Sequence, residues 1–118
     1  MTIRSLQQAL TDFAAEREWE QFHIPKNLVM ALAGETGELL EVFQWLTPEE
    51  SATVMSDPQR APQVREEIAD VFAYLLRTAD VLGIDLEQAL LEKIEVNGHK
   101  YPVDRARGRA DKYTQLGG

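Results

Sequence analysis

The chain contains no cysteine, which excludes disulfides, thiolate nucleophiles and Cys-ligated zinc and fits a reducing compartment. No run of about 18 apolar residues is present, so no segment reads as a membrane-spanning helix. The first residues, Met1 to Gln8, lack the apolar stretch of a secretory signal. Basic charge is scarce, with 12 Lys and Arg against 20 Asp and Glu and a net charge of −8. Nucleic acids and anionic membranes are bound through basic surface, so neither is an expected partner. An anionic small ligand stays open, provided that a bound cation and a local basic cluster reverse the field at its site. Glycine is sparse as well, seven in 118 residues, and no stretch alternates apolar and polar residues between turn signals. No sheet, repeat or low-complexity tract is therefore expected. These absences describe a soluble, cytoplasmic protein.

What is present is helical periodicity. With 44% hydrophobic and 27% charged residues, the chain has the composition of one ordinary domain over residues 1–118. Ile3, Leu6, Leu10, Phe13 and Ala14 predict a first helix from about Ile3 to Glu18, with Thr2 as N-cap. Trp19, Phe22 and His23 put rings into a loop before Pro25, where they either plug the space between helices or stack on a ligand base. Pro25 opens a second helix to about Leu46. Thr47-Pro48-Glu49-Glu50 reads as a capping box for a short turn, and Ser56 to Pro62 as the longest loop. Val64, Ile68, Val71, Phe72, Leu75, Ala79 and Leu82 define a third helix ended by Gly83. Asp85, with Gln88 three residues on, caps a fourth, which turns Leu86, Ala89, Leu90 and Ile94 inward and ends near Gly98. The expected fold is all-α, an antiparallel four-helix-bundle-type domain that oligomerises through its helices. Gly34 and Gly37 either offer a face for a second helix, including one of another subunit, or are merely tolerated.

The second helix carries an anomaly. Leu28, Leu32, Leu39, Val42, Phe43 and Leu46 form one stripe, and Glu35 falls inside it. A buried, unpaired carboxylate is costly, so a second element must supply a cation, a proton or a shared metal. Glu35 and Glu38 are one turn apart, and Glu67 and Asp70 repeat that spacing on the third helix. Glu67 lies on the inner flank of that helix, whereas Glu66 points away. Four carboxylates can thus converge as an oxygen-only cage, which selects a hard cation, Mg²⁺ or its substitute Mn²⁺. The alternative is a solvated face in which these acids pair with lysines or arginines. Tyr74, on the flank of Asp70, and Trp45, one heptad beyond Glu38, could floor a pocket beside the cage. Lys93, Asn97 and Tyr101, spaced by four, either meet phosphate together or form a solvated basic end.

These blocks carry a resemblance. Glu35-x-x-Glu38 with Glu67-x-x-Asp70 resembles the signature of the all-alpha, MazG-like nucleoside triphosphate pyrophosphohydrolases. Trp19 to His23, Ala31 to Trp45, Glu66 to Tyr74, Lys100-Tyr101-Pro102 and Lys112-Tyr113-Thr114 resemble its dCTP pyrophosphatase branch, over about Ser5 to Leu116. Leu46 to Pro62 matches no pattern of that branch. The resemblance implies a Mg²⁺-dependent enzyme that converts a deoxynucleoside triphosphate, dCTP or a modified dCTP, into monophosphate and pyrophosphate as nucleotide-pool house-cleaning. It implies metal ligation by Glu35, Glu38, Glu67 and Asp70. Residues Trp19, His23, Trp45 and Tyr74 then surround base and sugar, and Lys93, Asn97, Lys100 and Tyr101 lie near the phosphates. A homodimer or homotetramer is implied as well. Glu38 is the candidate to take the proton of the attacking water. The rival readings are a broad-specificity nucleoside triphosphate pyrophosphohydrolase and a non-catalytic helical interaction module.

Overall fold

A computed structural model describes residues 1–115, and within them the chain is all-helical, with no strand. Leu116, the last residue of the resemblance, and the two glycines after it lie outside the described residues. The order is α1 (Ile3–Glu16), a 3₁₀ turn (Glu20–Phe22), α2 (Pro25–Phe43), α3 (Pro48–Ala52), a 3₁₀ turn (Val54–Ser56), α4 (Arg60–Leu82), α5 (Leu86–Lys100), α6 (Val103–Ala106) and a last 3₁₀ turn (Tyr113–Gln115). Among the described residues no helix is long and apolar enough to cross a membrane. The chain divides into two compact units, Met1–Gly83 and the remainder from Ile84.

In the first unit α4 is the central element, packed on α2 and α1 and touched by the Val54–Ser56 turn. Partners run in opposite order along α2 and α4: His23, just before α2, meets Arg77 late in α4, whereas Leu39 shares a groove with Arg65 and Ile68. The two helices are antiparallel. The buried apolar side chains are Ala14, Leu28, Val54, Val64, Leu76 and Ala79. Gln7, also buried, satisfies its amide by donating to the Leu76 carbonyl at 3.0 Å.

Local chemistry sets the helix ends. Thr2 caps α1 in a reciprocal box with Ser5, and Thr47 does the same for α3 with Glu50, each satisfying amides that a helix start leaves orphaned. Pro25 occupies the first position of α2, where its missing N–H costs nothing. Gly83 stops α4 in the left-handed region at φ 70°. In the second unit Asp85 caps α5 by accepting from the Gln88 amide at 3.1 Å.

Four boundaries differ from the sequence expectation. Helix α1 ends at Glu16 instead of Glu18, because the Arg17 and Glu18 amides turn back to the Ala14 and Ala15 carbonyls. Helix α2 ends at Phe43 instead of Leu46, because the Leu46 amide turns back to the Phe43 carbonyl and Thr47 starts a new capped helix. Helix α4 begins at Arg60, inside the expected loop. Asp57 accepts from the Gln59 and Arg60 amides, and Pro62 falls in the first turn, where no intrahelical donor is needed. Helix α5 runs through Gly98 to Lys100. The apolar stripe of α4 is also wider than its neighbours cover: Ile68, Phe72 and Leu75 stay exposed. In the second unit Leu90 and Ile94, expected to face inward, are exposed too, since only short segments follow α5 there. A Cβ placed on Gly34 or Gly37 meets nothing within 4 Å, so within Met1–Gly83 no helix approaches closely at that face.

Candidate functional site

The antiparallel packing of α2 on α4 brings Glu35 and Glu38 opposite Glu67. One carboxylate oxygen from each lies within 4.8 Å of the others. Glu38 is exposed, whereas Glu35 and Glu67 are half-buried. Their Oε2 atoms are fully covered and have no hydrogen-bond partner among the described residues. Such orphaned oxygens are rare because a buried acceptor without a donor forfeits its hydration. The acids pay in proton affinity. Burial first, then hydrogen bonding to Glu38 and the charges of Glu38, Asp70 and Glu67, push Glu35 from 4.5 up to about 6. Burial, followed by Glu38, Asp70 and Glu66, raises Glu67 as well. Within Met1–Gly83 no lysine or arginine forms an ion pair with any of the three, so that unit supplies none of the cations of a salt-bridged face. An oxygen-only set with two buried, unpartnered oxygens fits a hard divalent cation.

Asp70, one turn beyond Glu67, is exposed and faces a neighbouring cleft of about 180 Å³. Leu10, Phe13 and Ala14 of α1, Trp19 and His23 of the loop, and Asp70, Ala73, Tyr74 and Arg77 of α4 line it. Asp70 therefore belongs to the cleft and, through its charge, to the carboxylate cluster. The loop is held at both ends. Glu18 turns the chain in the left-handed region at φ 53°, and the Trp19 amide donates back to the Ala14 carbonyl at 2.9 Å. The Trp19 ring stands edge-on to Phe13, with centroids 5.7 Å apart, while Arg17 covers the Phe13 ring. Trp19 is thus fixed as a wall of the cleft and still 43% exposed.

His23 is fixed by a contact that the sequence reading missed. Arg77 Nε donates to His23 Nδ1 at 3.1 Å, and burial followed by the Arg77 charge lowers the proton affinity of the imidazole. Arg77 also donates to Thr11 Oγ1 at 3.0 Å. Thr11 in turn donates to Asp80, which Arg4 clamps at 2.7 Å. The Arg4 bond is the main reason that Asp80 sits below the ordinary carboxylate range. One signal could have pointed to Arg77: it stands seven residues beyond Asp70, on the helix flank shared with Tyr74.

Trp45 stands 86% exposed beyond the end of α2, so the heptad relation to Glu38 is not carried by a continuous helix. Lys93, Asn97 and Lys100 occupy the C-terminal half of α5, and Tyr101 is its C-cap, its amide donating to the Asn97 carbonyl. These four belong to the second unit.

Comparison with known proteins gives a consistent result. A sequence model of the MazG-like family matches residues 31–116. The dCTP pyrophosphatase 1 of Bos taurus is 44% identical over 98% of this chain and 68% of its own length. That of Homo sapiens is 43% identical over the same shares. Among solved structures, a pyrophosphatase from Archaeoglobus fulgidus superposes with a TM-score of 0.78 at 41% identity, covering 84% of this chain and 91% of that one.

Proposed function

The chain belongs to the MazG-like family, and as a nucleoside triphosphate pyrophosphohydrolase of that family we propose that it hydrolyses dCTP, or a base-modified dCTP, to the monophosphate and pyrophosphate with Mg²⁺. The observation that carries this reading is the cluster of Glu35, Glu38 and Glu67 with two orphaned oxygens, joined through Asp70 to a ring-lined cleft. In this reading Glu35, Glu38, Glu67 and Asp70 hold the cation, with Mn²⁺ as a substitute. When bound, the cation supplies neutralisation of the charge on the phosphate oxygens.

The rest is work for the chain's own groups. A cleft of about 180 Å³ is smaller than the roughly 300–1,000 Å³ that encloses a drug-sized ligand, so it receives a base and leaves the phosphates outside, toward the carboxylates. Trp19 and Tyr74 flank the ring, His23 hydrogen-bonds it, and exposed Trp45 closes over base and sugar. Lys93, Asn97, Lys100 and Tyr101 bind phosphate oxygens. Glu38, the exposed member of the cluster, accepts a proton from water as the water oxygen bonds to the α-phosphorus. The bond to the bridging oxygen then breaks, and pyrophosphate leaves with the electron pair. The active form is a cytoplasmic homodimer or homotetramer that needs neither nucleic acid nor membrane, and its role is to cleanse the nucleotide pool. The mostly apolar lining of the cleft, with Leu10, Phe13, Ala14 and Ala73, favours one second reading: the same chemistry on a broader set of nucleoside triphosphates.

The test is a product analysis. Each common ribo- and deoxynucleoside triphosphate is incubated with protein and Mg²⁺ and followed by ³¹P NMR. Pyrophosphate and dCMP from dCTP, formed faster than from other substrates, are expected. Equal rates on all substrates select the broad reading, and orthophosphate or no turnover contradicts both.

A further inference from the structure

The Arg77 to His23 contact determines which hydrogen bond the cleft can offer. An arginine Nε always carries its proton and can only donate. His23 Nδ1, receiving that bond at 3.1 Å, must present a lone pair. A neutral imidazole has one N–H, so its proton sits on Nε2. The guanidinium charge beside the ring also opposes a second proton, in line with the lowered proton affinity of His23. Arg77 is itself held rigidly: its side chain is only 11% exposed, and Thr11 and Asp80 fix its other edge. Nothing in the proposed phosphate chemistry uses this relay.

We infer that Arg77 is a positioning residue, which locks His23 as the Nε2–H tautomer so that the cleft presents a hydrogen-bond donor to an acceptor on the bound base. Because the inference rests on the proposed reading that this cleft takes the base, it deepens that reading into a rule of selection. Cytosine offers two adjacent acceptors, N3 and O2, on its pairing edge. With N3 as the acceptor that His23 meets, uracil and thymine, which carry a proton there, face the fixed donor with a donor of their own. A site built to hydrogen-bond one partner discriminates strongly because the mismatched polar groups are left unpaired.

Two readouts test this. Long-range ¹H–¹⁵N correlation spectra at neutral pH show which nitrogen of His23 is protonated; the chain has two histidines, and a His99→Gln variant assigns the signals. Wild type is expected as Nε2–H, and Arg77→Met as a mixture of tautomers. In parallel, the ratio of kcat/KM for dCTP to that for dUTP is expected to fall about tenfold in Arg77→Met, mainly through KM, and to recover in part in Arg77→Lys, whose ammonium can donate to Nδ1. A wild-type His23 protonated on Nδ1 overturns the inference. So does an Arg77→Met protein with a lower Tm but an unchanged substrate ratio, the behaviour of a purely structural arginine. A wild type that hydrolyses no nucleoside triphosphate defeats the proposed function instead, and the tautomer spectrum then still decides whether Arg77 sets the state of His23.

Discussion

At the scale of single residues, Glu35 sets the energetics of the site. Its carboxyl is raised from 4.5 to about 6, so the folded state holds its proton more tightly than the unfolded chain does. The stability linked to that proton is fully present below about pH 4.5 and is lost as pH rises through about 6. Without metal, the cluster therefore weakens the protein at neutral pH, and a cation that needs the ionised form reverses this. We expect metal-free Glu35→Gln to have a higher Tm than metal-free wild type at pH 8, with the difference shrinking toward pH 4.5. Mg²⁺ should raise the Tm of wild type and leave that of the variant nearly unmoved. A variant less stable than wild type at pH 8 without metal would contradict this electrostatic account. Glu35, Glu38 and Glu67 were legible in the sequence because helix periodicity alone puts them on facing flanks. Arg77 was not, because its partner His23 is 54 residues away and only the register of α2 against α4 joins them.

At the scale of elements, the ends of the helices decide where the site's side chains point. Caps and stop signals at Thr2, Thr47, Gly83 and Asp85 were readable because each works through local backbone chemistry. The start of α4 was hidden by Pro58 and Pro62, which resemble loop punctuation, although Pro58 precedes the cap and Pro62 fits the first turn. Gly83 is a clean element-level test, since a Cβ there meets nothing within 4 Å while φ is +70°. Gly83→Ala is expected to lower stability by about 1 kcal/mol through left-handed backbone strain alone, measured by urea denaturation with an unchanged m-value. Unaltered stability would mean that this junction relaxes at no cost. The carboxylates, two or more turns before Gly83 on α4, should keep their metal response in that variant.

At the scale of the whole molecule, apolar side chains are left over. Ile68 is 52% exposed, Phe72 40% and Leu75 41%, on a helix whose periodicity assigns them to a core. Periodicity reports that a face is to be buried but not by which chain, so this part of the architecture could not be read from a single sequence. The proposed homodimer or homotetramer covers such surface. Sedimentation equilibrium should give a dimer or tetramer mass for wild type and a shift toward monomer for Phe72→Glu; a monomeric wild type at micromolar concentration contradicts the proposed assembly. The carboxylates that α2 and α4 bring together are tested most directly by the rate of pyrophosphate release from dCTP as Mg²⁺ is titrated into wild type and Glu67→Gln. Wild type should show a saturating rise, abolished by chelation, and Glu67→Gln a loss of about 100-fold or more with its helical circular dichroism intact. A rate indifferent to chelation, or a Glu67→Gln enzyme that turns over near the wild-type rate, would contradict metal ligation by these carboxylates.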